Sequence, residues 1–185
     1  MQEKFEVVLE EKEQILLSFL PNRKKVWVGN LFVTILISLF VCGMALLAMF
    51  VPEEGVEPCE PIYALIPLGV FLLSLFLCII CTKLYLKNTC FVVTNERAIV
   101  RTGIFGVDFK SLDILTIGVT DVYVSIIDKI LGGKTGSIRF GSMASPINGG
   151  NSVPFAFSNI VEPYKNYKLI KEQIEIAKKS NKTDF

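Results

Sequence analysis

The chain of 185 residues contains no histidine. That absence removes Ser-His-Asp and Cys-His nucleophilic arrangements, and with them the commonest metal ligand. Its five cysteines are scattered: Cys42, Cys78 and Cys81 lie in apolar runs, Cys90 just beyond them, and Cys59 alone between them. Such spacing implies no disulfide framework. A basic arm or stripe is missing too. With 19 Lys and Arg against 18 Asp and Glu the net charge is +1, so no nucleic-acid partner is expected, because such domains present a concentrated basic face. The most informative absence is local: no Lys, Arg, Asp or Glu occurs in residues 26–51 or 61–82.

Each of these runs exceeds the roughly 18 uncharged residues that a helix needs to cross about 30 Å of hydrocarbon. Buried helices of soluble cores are typically shorter. A cleaved signal peptide does not fit either, since a polar-rich segment precedes the first run and no small-x-small pattern follows it. The expectation is a transmembrane hairpin over 26–86, with spans 26–51 and 61–82 and an outside loop 52–60. Arg23, Lys24 and Lys25 precede the first span and Lys83 and Lys87 end the second, whereas the loop carries Glu53, Glu54, Glu57 and Glu60. Basic flanks resist translocation, so both termini are expected on the cytoplasmic side. Trp27, Tyr63 and Tyr85 fall near the expected interfaces.

Within the spans, Ser38, Cys42 and Ala45 recur at helical spacing, as do Ser74, Cys78 and Cys81. Small residues let helix backbones approach, which makes these stripes the expected contact between the two helices. Cys78-Ile-Ile-Cys81 has CxxC spacing but lacks the βαβ setting of a redox motif. Neither span holds an ionisable residue of the kind that proton and ion pathways use. Asn30 is placed near the inner interface, and Pro67 is expected to kink or distort the second helix.

Residues 1–25 are acidic and then apolar before Pro21, and read as a short helix or extended piece lying against a cytoplasmic domain. From Lys87 the pattern turns to short β-rich runs: CFVVT and AIVRTGI around an Asn95-Glu96-Arg97 turn, then VDFKSLDI, VTDVYVS, SIRFGS and VPFAF, the last two separated by SPINGGNS. Strands at this spacing suggest a small sandwich or barrel rather than βαβ units. A domain over 87–180 closes with a proline-led amphipathic helix whose apolar stripe is Tyr164, Tyr167, Ile170, Ile174 and Ala177, followed by a tail over 181–185. The opposite face carries Lys165, Lys168, Lys171, Lys178 and Lys179.

Candidate chemistry is sparse. Gly132-Gly133-Lys134-Thr135 resembles the end of a P-loop, but Asp128 stands where the loop's first glycine belongs, and a strand rather than a helix is expected after Thr135, so a turn is the better reading. Glu96, Asp108, Asp113, Asp121 and Asp128 are spread over separate elements, and surface solubility accounts for them. No catalytic, cofactor-binding or metal-ligating residue is assigned, and neither an enzyme nor a cofactor is expected.

Two apolar spans followed by TNERAIVRTGIF, then SLDILTIGVTDVYVSIIDKILGGKTGSIRFGS, then FSNIVEPYKNYKLIKEQI, resemble the YdbS-like group of bacterial PH-like membrane proteins. The resemblance runs from roughly Arg23 to Ala177. It implies an α+β membrane protein of the bacterial cell membrane: a two-helix hairpin followed by a PH-like antiparallel β-sandwich or barrel capped by its C-terminal helix. Little about activity is implied, because fold does not dictate function.

Two functional expectations follow. The first is a membrane-tethered, non-enzymatic scaffold or adaptor that binds a protein partner or forms a homo-oligomer beside the lipid bilayer. The alternative is an anionic lipid-headgroup sensor using Arg97, Arg101 and Lys134. From residue 88 to 161 six basic residues face five acids, a weak basis for trapping phosphate, which favours the scaffold.

Overall fold

The computed structural model describes residues 5–50, 65–130, 132–142 and 155–183. The acidic loop 52–60 with Cys59, Tyr63, expected near an interface, and the SPINGGNS loop lie outside the described residues. The chain forms two compact units, one made of residues up to Lys25 together with those from Tyr85 onward, the other of Val26–Leu84.

The second unit consists of most of α1 (Arg23–Phe50) and α2 (Leu65–Asn88), both long and apolar enough to cross a membrane. A helix satisfies its interior backbone N–H and C=O groups within the segment, so an apolar run with few polar side chains can adopt it. Asn22 caps α1, its Oδ1 accepting from Lys25 N at 3.3 Å. Side-chain polar contacts tie the pair together. Ser38 Oγ and Ser74 Oγ lie 2.7 Å apart, Cys42 Sγ donates to Pro67 O at 3.2 Å, and Asn30 Nδ2 donates to Thr82 Oγ1 at 3.0 Å. Ala45, Cys78 and Cys81 are half-buried. Among the described residues Pro67 stands in the first turn of α2, and it is buried there.

The first unit is built on two antiparallel sheets. One has the order β1 (Ile15–Phe19), β2 (Cys90–Thr94), β3 (Arg97–Thr102), β4 (Asp108–Asp113); the other has β5 (Ile117–Tyr123), β6 (Thr135–Ser142), β7 (Phe155–Val161). A single 3-10 turn, Ile114–Thr116, capped by Asp113 Oδ1, links the sheets, and a short helix α3 (Ile126–Ile130) precedes β6. Helix α4 (Pro163–Thr183) closes the unit. The protein is therefore α+β, with two antiparallel sheets, a C-terminal helix and two apolar helices.

The first strand comes from before the apolar helices. Phe19 pairs with Phe91 and Ile15 with Thr94, so α1 and α2 are inserted between two neighbouring strands of one sheet. A bulge between Ile15 and Leu17 shifts the register and changes which face each residue meets. Ile15 joins a cluster with Phe5, Leu9, Cys90, Val92, Ile99 and Phe109, while Leu17 and Phe19 pack with Phe91, Val93, Ala98 and Val100. The residues before β1 thus cover the outer face of the sheet, which explains why all of CFVVT is buried.

The inner faces meet at an aromatic cluster. Phe157 stacks on Phe91 at 5.1 Å between centroids and meets Phe140 edge-on at 4.8 Å, with Phe19 at 6.2 Å. Fully buried side chains of this size contribute about 1.5–3 kcal/mol each. Helix α4 adds Ile170, Ile174 and Ala177 to the same core, with Tyr167 packed against it. Tyr164, expected on that stripe, is instead 62% exposed, and the buried residue of the first turn is Pro163. Gly136 admits it: a Cβ there would stand 2.9 Å from Pro163 Cγ.

Candidate functional site

A cleft of about 610 Å³ opens between the two sheets of the first unit. Sheet one contributes Phe91, Val100, Thr102, Lys110 and Leu112; sheet two contributes Tyr123, Ser137, Arg139, Phe155 and Ser158; Tyr85 and Thr89 border it where α2 joins β2. The registers Val100↔Lys110 and Ala98↔Leu112 place Lys110 beside inner-face residues, so the cleft combines an apolar floor with one ammonium group.

Its other cation is engaged. Arg139 Nη2 donates to Asp121 Oδ2 at 3.0 Å and Nε to Oδ1 at 3.3 Å, and the guanidinium lies 4.5 Å from the centroid of the Tyr123 ring. Asp121 and Arg139 are register partners, as are Tyr123 and Ser137. Among the described residues Lys110 makes no ion pair. The arrangement offers a cation, two phenols and several hydroxyls to a small polar or anionic group. Among the described residues, no group of three His, Cys, Asp or Glu side chains could hold a metal ion.

The three basic residues expected to meet a headgroup are placed apart. Arg97 turns to the N-terminal segment, donating from Nε to Glu13 Oε1 at 3.0 Å and from Nη2 to Glu13 Oε2 at 2.8 Å and Val8 O at 2.9 Å. Arg101 donates to Asn88 O at 3.2 Å and lies 6.0 Å from the Phe109 ring. Lys134 is exposed on the turn that enters β6 of the other sheet, with Gly132 and Gly133 at positive φ before it. Gly132-Gly133-Lys134-Thr135 is thus a turn into a strand.

Two buried carboxylates were not legible as such. Burial would raise the Glu13 carboxyl, but hydrogen bonds from Arg97, Thr94 Oγ1 and Glu10 N outweigh it and hold the pKa below its ordinary value. Asp128, read from sequence as a surface acid, is 1% exposed. It accepts from Ser125 Oγ at 2.6 Å, from Thr135 Oγ1, and from Lys25 Nζ. There too burial works upward, and the bonds from Lys25, Ser125 and Thr135 bring the pKa below the ordinary value. The capping-box spacing of Ser125 and Asp128 is a local signal for the start of α3, but the partners that bury these two carboxylates, Lys25 and Thr135 for Asp128 and Arg97 and Thr94 for Glu13, stand on other elements. The cleft was equally hidden: Lys110 stands on one sheet and Tyr123 and Arg139 on the other, and they line one cleft only because the two sheets pack together.

No family model matches the chain, and no curated protein matches it. Among solved structures it is similar to a DUF1696 family protein with a pleckstrin-homology domain from Shewanella loihica PV-4, at 10% identity over 93% of this chain and 91% of that one, with a TM-score of 0.42. So low a score leaves the description of the fold to the strands themselves.

Proposed function

We propose that this chain is a non-enzymatic scaffold or adaptor of the bacterial cell membrane, belonging with the YdbS-like PH-like proteins that its sequence resembles. On this reading α1 and α2 cross the bilayer, both termini are cytoplasmic, and the two-sheet unit presents a surface to a protein partner or to a second copy. Support for the spans comes from their surfaces: Phe32, Leu36, Phe40, Leu72 and Phe76 all stand more than half exposed, an apolar area far beyond what a soluble monomer leaves in water. A four-plus-three arrangement of strands with a closing helix supports the PH-like reading.

The observation that carries the scaffold over the sensor is the fate of the basic side chains. Arg97 is spent on Glu13, Arg101 leans on Asn88 and Phe109, and Lys134 stands on the other sheet, so no phosphate-sized cluster forms from them. A sensor would have to use the cleft at Lys110 instead, and that cleft is the specific feature favouring the second reading. Full-length protein purified in mild detergent should migrate as an assembly or bring a membrane partner with it. In nanodiscs it should show no salt-sensitive preference for one anionic lipid. Headgroup-selective binding that disappears in Lys110→Gln would replace the scaffold by the sensor.

A further inference from the structure

We infer that the β3–β4 loop, residues 103–107, is an interfacial anchor that seats the two-sheet unit on the lipid headgroup layer of the bilayer that α1 and α2 cross. The inference rests on the membrane-spanning reading of those helices.

Strand register places the loop. Sheet one enters α1 just after Phe19 and resumes after α2 at Cys90, and Phe19 pairs with Phe91, so both junctions lie at one end of the sheet. Cys90 pairs with Arg101, which carries β3 back to that same end. Thr102 Oγ1 stands 3.4 Å from Thr89 Oγ1, one residue beyond the last residue of α2. Arg101 Nη1 bonds the carbonyl of Asn88, that last residue. Residues 103–107 therefore turn beside the place where the second apolar helix ends. The β2–β3 turn, at Glu96, is at the opposite end.

The loop's chemistry suits a headgroup layer. From Thr102 to Val107 the sequence is TGIFGV, without a charge, and Phe105 is 92% exposed with Ile104 at 39% and Val107 at 40%. The turn is tightly closed rather than open coil: Gly103 has φ +150°, and a Cβ on it would lie 2.0 Å from Gly106 O. Phe105 stands almost wholly exposed at the tip, whereas Val100 and Phe109 on the flanking strands pack in the two core clusters. Leu20, 46% exposed, adds apolar surface at the same end, and the exposed Arg23 and Lys24 follow within one helical turn. Apolar tips beside basic residues bind the boundary between headgroups and acyl chains. A protein partner would equally bury Phe105, but the same sheet end carries both helix junctions, so on the spanning reading the bilayer is already beside the loop.

Tryptophan fluorescence in proteoliposomes tests this on the full-length chain. In a Trp27→Phe background, single tryptophans are placed at Phe105→Trp, at Glu96→Trp on the far end of the sheet, and at Phe40→Trp within α1. Phe105→Trp should emit at shorter wavelength than Glu96→Trp, lose intensity with lipids brominated near the headgroup, and resist iodide. Phe40→Trp should be quenched by lipids brominated deep in the acyl chain. If Phe105→Trp matches Glu96→Trp while Phe40→Trp is quenched, the spans stand and the anchor is overturned. If Phe40→Trp escapes deep quenching, the spanning reading fails and the anchor with it.

Discussion

Glu13 and Arg97, 84 residues apart and separated in sequence by both apolar helices, form a two-bond ion pair at 2.8 and 3.0 Å. Glu13 is buried, its side chain 0% exposed, while Arg97 is 22% exposed. The pair fastens the segment before α1 to the strand that follows the β2–β3 turn. Removing Arg97 leaves the buried Glu13 carboxylate without its cation, which costs about 3 kcal/mol or more, and removing Glu13 frees the half-buried Arg97 at a smaller cost. Glu13→Ala and Arg97→Ala should each loosen the N-terminal segment, read as faster hydrogen exchange of the β1 and β2 amides. The joint replacement Glu13→Met with Arg97→Met should recover most of the protection, since two well-packed apolar groups leave no charge stranded. Equal loss in the joint variant would mean that packing, not the charge, was at issue.

Acid should weaken the two-sheet unit through Glu13 and Asp128. Both carboxyls have folded pKa values below their unfolded ones, so at mildly acidic pH the unfolded chain binds more protons and stability rises with pH. Their contribution is complete above the unfolded carboxylate range, about pH 4–5, and is lost as pH falls through the lower folded values. Thermal unfolding of the detergent-solubilised protein should show a plateau near neutrality and an acid limb. Asp128→Asn and Glu13→Gln should each start lower on the plateau and show a shallower limb.

Gly136→Ala tests the seat of α4. The added methyl would meet Pro163 Cγ at 2.9 Å and Tyr123 O at 3.0 Å, and the second of these is backbone. Overpacking of this kind costs about 1–3 kcal/mol. Gly106→Ala, where nothing lies within 4 Å, is the control and should unfold near the parent temperature.

Because Phe19 and Phe91 are register partners, the helices can be replaced by a short turn. A chain joining residues 1–25 to 85–183 through a short polar linker, which keeps Lys25 beside Asp128, should fold in water, its amide spectrum dispersed as for a β-rich protein. The fragment 87–183 should not, because it lacks β1 and Phe5 and leaves the outer face and one edge of β2 uncovered. A well-dispersed spectrum from the shorter fragment would show that β1 is dispensable.

The sequence by itself determined what depends on local pattern. Uncharged runs long enough to span hydrocarbon dictate two helices, alternation and turn residues dictate the strands from Cys90 onward, and Pro163 with its following stripe dictates the last helix. Gly132 and Gly133 mark a turn because only such residues accept its positive φ cheaply. Tertiary structure decided whatever depends on partners distant in the chain. The segment ILLSF becomes a strand because β2 offers it a free edge, although no local signal separates strand from helix over five residues. Asp128 is buried because Lys25, Ser125 and Thr135 converge on it, and Arg97 is unavailable to a ligand because Glu13 reaches it first. Hydrogen bonds and ion pairs act over about 3 Å of space and are indifferent to separation along the chain, so composition shows which charges exist, and only the packed strands decide which of them remain free to meet a partner.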